Sequence, residues 1–410
     1  MQATKTLTSR TQYFLEKEEL YGAHNYHPLP VVLSKGKGVF VWDVDDKRYY
    51  DFLSGYSAIN HGHCHPRIIE TFIEQAQRLT LTSRAFHNDL LGEYAEFITR
   101  FFGYDKVLPM NTGVEAVETG LKLARRWGYE VKGVAENKAK IITCEHNFHG
   151  RTINVISFST DESSRSNFGP FTPGYEIIPY NDIPALQAAL QDANVVAFLV
   201  EPIQGEAGVI VPAEGYLAKA AAMCREANVL FIADEIQTGL ARTGKMLACD
   251  HEDVRPDILL LGKALSGGTM PVSAVLADDE IMLTIKPGDH GSTYGGNPLA
   301  CKVAITALQV LVDEKMADNA AIQGEYMRRE LLALGHPHIS IVRGKGLFNA
   351  IVIDHPQKDR AWDICLEMKE NGLLAKPTHG DRIRFAPPLL ITHSQMEECM
   401  GMIAKSMENF

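Results

Sequence analysis

The chain has 410 residues, of which 45% are hydrophobic and 22% charged, with a formal net charge of −11. This length suggests two folded units, and the acidic balance disfavours a nucleic-acid surface, which needs clustered Lys and Arg. No apolar run reaches the ~20 residues that span a bilayer. The seven scattered cysteines and the lack of an apolar secretory signal lead us to expect a cytoplasmic protein with reduced thiols.

The first 50 residues predict a short helix and then a hairpin over 38–52. Further along, apolar runs of strand length alternate with segments rich in helix formers, such as 215–227. This alternation predicts βαβ units and a largely parallel sheet, whose ligand crevice lies beyond the carboxyl ends of the strands. The runs predicted to be buried strands are 140–144, 195–201, 229–233, 257–262 and 272–277.

The last third of the chain has a different pattern. Residues 300–334 are helical in pattern, and short strands at 350–353 and 383–385 are then mixed with helices. That mixture favours a smaller α+β unit. We therefore predict an N-terminal segment over 1–55 that packs with the small domain, a large cofactor-binding domain over 56–300 and a small domain over 301–410.

Asp234 ends one predicted apolar strand, and Lys263 directly follows another. A lysine at such a position is poorly hydrated, so its pKa should fall and its amine can be neutral. A neutral amine can condense with the carbonyl of a cofactor such as pyridoxal phosphate, and a fixed anion can keep the pyridine nitrogen protonated. A single lysine would more often extend its ammonium to solvent. The lysine and the aspartate together favour the cofactor site.

Thr112 is a candidate N-cap, and Gly113 and Val114 open the helix that follows it. Free N–H groups at the start of a helix bind anions, here the cofactor phosphate. An ordinary capped helix is the alternative. The segment 291–298 offers hydroxyl groups for the same phosphate or forms a plain turn, and the residues leave both open.

Phe148 and Arg151 follow the predicted strand at 140–144. The phenylalanine can stack on a pyridine ring, and the arginine can bind a substrate carboxylate through two parallel hydrogen bonds. A core phenylalanine and a solvated arginine are the alternatives. Glu201 and Glu206 lie at the end of another strand, where glutamates are usually solvent-facing loop charges.

Two motifs suggest other chemistry. Residues 239–246 nearly match a nucleotide-binding P-loop, but Met246 stands where a hydroxyl should hold magnesium. Three histidines alternate in 61–65 like metal ligands, but their spacing and the helix-starting Pro66 favour a turn.

Long collinear segments resemble the class III, fold-type-I, pyridoxal-phosphate-dependent aminotransferases, and among them the ornithine aminotransferases. The resemblance covers nearly the whole chain. It implies an α/β fold, in which a large domain with a mainly parallel sheet flanked by helices is joined to a smaller α+β domain. The segments that carry it are 21–30, 81–86, 201–208, 233–240, 373–381 and 384–388.

The resemblance implies pyridoxal 5′-phosphate as the cofactor, Lys263 as the lysine that bonds to it and Asp234 as the partner of its ring nitrogen. These two residues are the predicted catalytic pair. The other implied cofactor contacts are Gly113 and Val114 to the phosphate, Phe148 to the ring face, Gln237 to the ring hydroxyl, and Ser292 with Thr293 to phosphate. Thr293 would reach the neighbouring subunit's phosphate, which implies an obligate homodimer with active sites at the interface. A higher assembly is left open, and no metal, nucleic acid or membrane is expected.

For the substrates, the resemblance implies ping-pong transfer of the δ-amino group of L-ornithine to 2-oxoglutarate, giving L-glutamate 5-semialdehyde and L-glutamate. Tyr26 and Arg151 would hold the α-carboxylate of ornithine, and Tyr56 would favour ornithine over shorter amino acids. Glu206 would mask Arg384 while ornithine binds and release it for 2-oxoglutarate. The alternative is an acetylornithine or other ω-amino-acid aminotransferase. Whether the reaction serves arginine breakdown or proline supply stays open.

The sequence departs from the ornithine pattern at two positions. His149 stands where these enzymes commonly carry tryptophan, and Met270 replaces a common aromatic. We expect neither residue to touch the cofactor chemistry, and their effect on substrate preference is open.

Overall fold

The computed structural model describes residues 8–357, 359–408 and 410. It is an α/β fold built on three sheets. The strands are β1 Leu33–Lys37, β2 Phe40–Asp43, β3 Arg48–Asp51, β4 Lys106–Met110, β5 Lys140–Cys144, β6 Tyr175–Ile178, β7 Val195–Val200, β8 Leu230–Asp234, β9 Ile258–Leu261, β10 Ser273–Ala277, β11 Ile339–Lys345, β12 Phe348–Ile353, β13 Leu373–Leu374, β14 Lys376–Thr378 and β15 Arg382–Phe385. The helices are α1 Ser9–Tyr21, α2 Ser54–Ser57, α3 Pro66–Arg78, α4 Leu91–Phe102, α5 Gly113–Glu130, α6 Ile153–Ile156, α7 Glu162–Arg165, α8 Ile183–Ala189, α9 Tyr216–Glu226, α10 Asp279–Met282, α11 Pro298–Asp313, α12 Met316–Ala333, α13 Arg360–Glu370 and α14 His393–Met407.

The central sheet has the strand order β4-β10-β9-β8-β7-β5-β6. Strands β9, β8, β7, β5 and β6 are parallel neighbours, while β10 runs antiparallel to both β9 and β4. Every residue of β7 is buried, as expected for a strand with helices on both faces. The predicted largely parallel sheet is confirmed, with β10 as its reversed strand.

A second sheet joins the two ends of the chain. Strands β1, β2 and β3 form an antiparallel meander, and β13 then pairs with β3 in parallel. The predicted hairpin over 38–52 therefore exists as β2 and β3. This pairing supports the predicted association of the N-terminal segment with the C-terminal part.

The third sheet, in the order β11-β12-β15-β14, is antiparallel throughout. The helical pattern at 300–334 is two helices, α11 and α12, because the chain breaks at Lys315, which has φ of 51°. Helix α11 packs on α3, α4 and the 3-10 turn Lys263–Ser266, so it lies against the large sheet's helices. The domain boundaries at 55 and 300 stay a prediction.

The P-loop-like segment 239–246 folds into turns around a buried arginine. The Arg242 side chain is fully buried and donates to Asn60 Oδ1 at 2.6 Å, to the Leu347 carbonyl at 3.0 Å and to the Pro387 carbonyl at 2.6 Å. Burial lowers the pKa of Arg242 to about 9. This one guanidinium therefore joins three distant stretches of chain.

The alternating histidines of 61–65 form the predicted turn before α3. Each ring has its own partner: His61 bonds the Ala307 carbonyl, His63 bonds Asp51 and His65 bonds Glu314. Within the described ranges, no cluster of His, Cys, Asp and Glu could hold a metal ion. In the same part of the chain, every helix is too short or too polar to cross a bilayer.

Candidate active site

Six of the eight predicted cofactor residues, all but Ser292 and Thr293, line one cavity at an edge of the central sheet. The carboxyl ends of β4, β5, β7, β8 and β9 meet there, together with the start of the reversed β10, whose Ser273 hydroxyl donates to the Thr112 carbonyl at 2.8 Å. A cavity of about 210 Å³ opens at this edge. Its lining comprises Gly113, Val114, Phe148, His149, Gly150, Glu201, Asp234, Ile236, Gln237 and Lys263.

Lys263 follows β9 in a strained backbone conformation, with φ of 43° in the left-handed region. Non-glycine residues rarely adopt this conformation, and such strain occurs often at functional sites. Burial lowers the pKa of Lys263, against the opposing influence of the nearby carboxylates of Glu206, Asp234 and Glu201. The amine therefore loses its proton more readily than an exposed lysine.

Asp234 ends β8 with its carboxylate 5% exposed. One oxygen accepts from the Ile236 N–H at 3.1 Å, and the other lies 2.6 Å from Nδ1 of His149. Burial alone would lower the pKa of His149, but its bond to Asp234 raises that pKa above the ordinary value. The expectation that His149 stands apart from this chemistry was wrong, because the sequence does not show that the loop after β5 reaches the end of β8.

Glu201 was expected to be a solvent-facing loop charge, and this expectation was also wrong. The side chain is buried, with 7% exposure, and its oxygens accept from the Phe148 N–H at 2.8 Å and the Gly205 N–H at 3.2 Å. Burial raises the pKa of Glu201 to about 7. One carboxylate thus fixes both the aromatic residue in the cavity and the loop that carries Glu206.

We expect the effect of Glu201→Gln on stability to depend on pH. The pKa of Glu201 rises from 4.5 to about 7 on folding, so the folded state holds a proton that the unfolded state releases between these values. The contribution of this carboxyl is complete below the unfolded pKa and is lost as pH rises through the folded pKa. Relative to the Gln variant, the unfolding free energy of the unaltered protein should therefore fall by up to ~3 kcal/mol from pH 5 to pH 8.

Denaturant unfolding at both pH values measures this change. Glu136→Gln, at an exposed loop position, is the matched control and should show no pH-dependent difference. A constant difference between the Glu201 variant and the unaltered protein would show that Glu201 does not titrate in this range.

The start of α5 has a complete N-terminal cap. Thr112 and Glu115 form a capping box, in which the Thr112 hydroxyl accepts from the Glu115 N–H and the Glu115 carboxylate accepts from the Thr112 N–H. Asn111, which the sequence interpretation missed, donates to the Ser292 hydroxyl oxygen at 2.7 Å, and the Gly295 N–H donates to the same oxygen at 3.0 Å. With both acceptor positions of its oxygen filled, Ser292 keeps its hydroxyl hydrogen for another acceptor.

On the substrate side, Glu206 and Arg384 form an ion pair at 2.9 Å. Burial alone would raise the pKa of Glu206, but the Arg384 guanidinium lowers it below the ordinary value. Gln237 Nε2 donates to the same carboxylate oxygen at 3.3 Å, and the Arg384 guanidinium lies 5.0 Å from the Tyr56 ring centroid. Tyr56 itself has φ of 59°, a second left-handed non-glycine residue at the site.

The remaining predicted residues lie further out. Tyr26 is 66% exposed, and the Arg151 guanidinium lies 5.5 Å from the Phe148 ring centroid and 3.3 Å from the Ser164 hydroxyl. Both nevertheless act electrostatically on the Tyr56 hydroxyl. Thr293 is exposed and does not line the cavity of its own chain.

The side chains present suit pyridoxal 5′-phosphate. The half-buried Lys263 amine and the buried Asp234 carboxylate line the same cavity. Gln237 Oε1 is buried and, within the described part of the chain, accepts no hydrogen bond, so it can accept one from a ring hydroxyl. Ser292 retains a donor for phosphate. A Cβ on Gly150 would lie 2.5 Å from the Val114 side chain, so the cavity wall there depends on glycine.

Comparison with known proteins shows the family to which the chain belongs. An ornithine aminotransferase of Rattus norvegicus, named mitochondrial, is 60% identical, with 100% of this chain and 94% of that protein covered. The ornithine aminotransferase structure from Toxoplasma gondii has a TM-score of 0.96 and 52% identity over 97% of this chain and 94% of its own. The acetylornithine aminotransferase structure from Elizabethkingia anophelis has a TM-score of 0.90 and 58% identity, with 98% of this chain and 99% of that chain covered. The aminotransferase class-III family model matches residues 21–407, and the chain therefore belongs to the class-III aminotransferases.

Proposed function

We propose that this chain transfers the δ-amino group of L-ornithine to 2-oxoglutarate, with pyridoxal phosphate as cofactor. The observation that carries the proposal is the Glu206–Arg384 pair, 2.9 Å apart beside the Lys263 cavity. A site that accepts a diamine and then a keto diacid needs a cation that can be masked and released. The ornithine aminotransferases of Rattus norvegicus and Drosophila melanogaster, at 60% and 61% identity, support the same substrate.

When bound, pyridoxal phosphate supplies a carbonyl that takes up the amino group and a ring that withdraws electrons. In its unprotonated form, the Lys263 amine would accept the proton from the δ-carbon of the substrate as general base and would then donate it to the cofactor as general acid. Asp234 would hold a positive charge at the ring nitrogen, and His149 keeps that carboxylate oriented. Phe148 would cover one face of the ring and exclude water from it.

Glu206 neutralises Arg384 while ornithine is bound, so the terminal amine meets no exposed positive charge. Separated from Glu206, Arg384 would bind the α-carboxylate of 2-oxoglutarate through paired hydrogen bonds. Tyr26 and Arg151 would hold the α-carboxylate of ornithine. With that carboxylate held there, the δ-amino end of ornithine, and not the α-amino end, would reach Lys263.

Glu206→Ala is expected to shift preference toward α-amino substrates. Because Arg384 would then be permanently free, the rate with glutamate should rise about tenfold relative to ornithine, equivalent to about 1.4 kcal/mol. The measurement is the rate of cofactor absorbance change with each amino donor alone. Glu206→Gln, which keeps the size and removes the charge, should behave like the Ala variant. Unchanged rates with both donors would remove the switch from the mechanism.

N-acetylornithine is a second candidate donor, favoured by two observations. His149 occupies the position where ornithine enzymes commonly carry tryptophan, and a structure named acetylornithine aminotransferase is 58% identical. A panel of ornithine, N-acetylornithine and 4-aminobutyrate separates the candidates. The highest kcat/KM with ornithine is the expected result.

We also propose a homodimer in which Thr293 reaches the partner's phosphate site. Its exposure and the neighbouring Ser292–Asn111 bond support this proposal. Sedimentation at increasing dilution tests it, with loss of cofactor expected as subunits separate. Cytoplasmic location stays a prediction that cell fractionation would test, since relatives from rat and fruit fly are named mitochondrial.

A further inference from the structure

One face of the C-terminal sheet holds the loop that carries Glu206. Lys376 lies directly opposite Arg384 in the β14–β15 register, and Thr378 lies opposite Arg382. Residues opposite each other, and residues two apart along a strand, project on the same side of a sheet. These four side chains therefore share one face.

Three of the four contact the loop 205–207. The Thr378 hydroxyl donates to the Glu206 carbonyl at 3.1 Å, and Arg382 donates to the Ala207 carbonyl at 2.8 Å. Arg384 donates to the Glu206 carboxylate at 2.9 Å. The backbone of the loop is thus fixed to this face, while the Glu206 carboxylate bonds to the side chains of Arg384 and Gln237.

The fourth side chain, Lys376, has a charge without a partner. Across residues 8–357, 359–408 and 410, its ammonium makes no ion pair or hydrogen bond, and it lies 6.0 Å from the centroid of the Tyr26 ring. The side chain is half-buried. Burial lowers its pKa, the Arg384 charge lowers it further, and the Glu206 carboxylate raises it. Lys376 and Arg384 are like charges opposite each other on neighbouring strands, and such charges repel. This unfavourable arrangement indicates that the Lys376 ammonium has a role at the site.

We propose that Lys376 is the second partner of Glu206. When Arg384 leaves Glu206 to bind 2-oxoglutarate, the Lys376 ammonium pairs with the Glu206 carboxylate. A partly buried carboxylate that loses its arginine needs another cation, because an unpaired buried charge is strongly destabilising. Thr378 holds the Glu206 backbone in place, and Lys376 lies opposite Arg384 in the strand register, so we assign the exchange to rotation of the Glu206 and Lys376 side chains. Lys376 is thereby a positioning residue for the keto-acid half of the reaction, an inference that rests on the proposed function.

The test is binding of glutarate, a non-reacting dicarboxylate, to the cofactor-loaded protein by calorimetry. Lys376→Met should raise its Kd about tenfold, while Lys376→Arg should keep the Kd within about twofold of the unaltered value. In a Glu206→Ala background, which has no carboxylate to receive, Lys376→Met should change the Kd by less than about twofold. Lys138→Met, at an exposed position before the opposite end of β5, is the matched control for loss of one charge.

Three results would overturn the proposal. An equal loss of glutarate affinity in the Glu206→Ala background would mean that Lys376 binds the dicarboxylate itself. A rise in the ornithine KM as large as the rise in the glutarate Kd would place Lys376 at the ornithine carboxylate beside Tyr26. An unchanged Kd in Lys376→Met would leave it without this role. Failure of the unaltered protein to react with ornithine would instead reject the proposed function, so the two failures are distinguishable.

Discussion

Lys263→Ala is expected to reduce kcat with ornithine and 2-oxoglutarate by at least ~10⁴-fold, because the substitution removes both the covalent anchor and the proton-transfer group. The structure gives this lysine a half-buried side chain, a lowered pKa and a strained backbone within the same cavity as Asp234. Steady-state turnover measures the effect. Borohydride reduction of the unaltered protein, followed by peptide mass spectrometry, should place the pyridoxyl tag on Lys263.

Lys138→Ala serves as the control, since that exposed lysine lies away from the cavity. It should leave turnover unchanged. Added small amines should restore part of the activity of the Lys263 variant by supplying the missing base. Normal turnover by Lys263→Ala without added amine would reject the assignment of this lysine.

Asp234→Asn is the second substitution with a large expected effect. It keeps the size of the side chain but removes the negative charge beside the ring nitrogen and weakens the 2.6 Å bond to His149. Charge-assisted hydrogen bonds are about twice as strong as neutral ones. We expect kcat to fall by about 10³-fold, equivalent to about 4 kcal/mol, and cofactor affinity to fall as well.

Steady-state kinetics measure the fall in kcat, and a fluorescence titration measures the Kd of pyridoxal phosphate. Asp253→Asn is the matched control, because Asp253 is exposed and has φ of 53°, a conformation that asparagine also tolerates. An Asp234→Asn variant with unaltered kcat and cofactor affinity would show that the carboxylate does not serve the ring nitrogen.

Much of the central sheet could be predicted because its strands β7, β8, β9 and β10 are short, mostly apolar and fully buried. Strands β5, β7, β8 and β9 lie within two residues of the predicted runs. The antiparallel direction of β10 could not be predicted, since apolar composition does not encode strand direction. The break at Lys315 was also hidden, because neither glycine nor proline marks it in the helical pattern.

The site was predictable where it depends on strand ends and unpredictable where it depends on contacts between strands. Asp234 and Lys263 follow apolar runs, so their proximity follows from a parallel sheet. The His149–Asp234 and Asn111–Ser292 bonds join segments far apart in sequence, and nothing local marks them. Lys376 lies on a three-residue strand, too short to show a periodic pattern.

The buried Arg242 limits how the molecule can respond to its two substrates. A rigid-body rotation of the C-terminal sheet away from the centre would separate the guanidinium from the Leu347 and Pro387 carbonyls in a place that water does not reach. Such a hinge movement would leave a cation and two carbonyl groups unsolvated, at a cost of several kcal/mol. We therefore expect the two half-reactions to be distinguished by side-chain rotamers at the cavity mouth, on a scaffold that stays still.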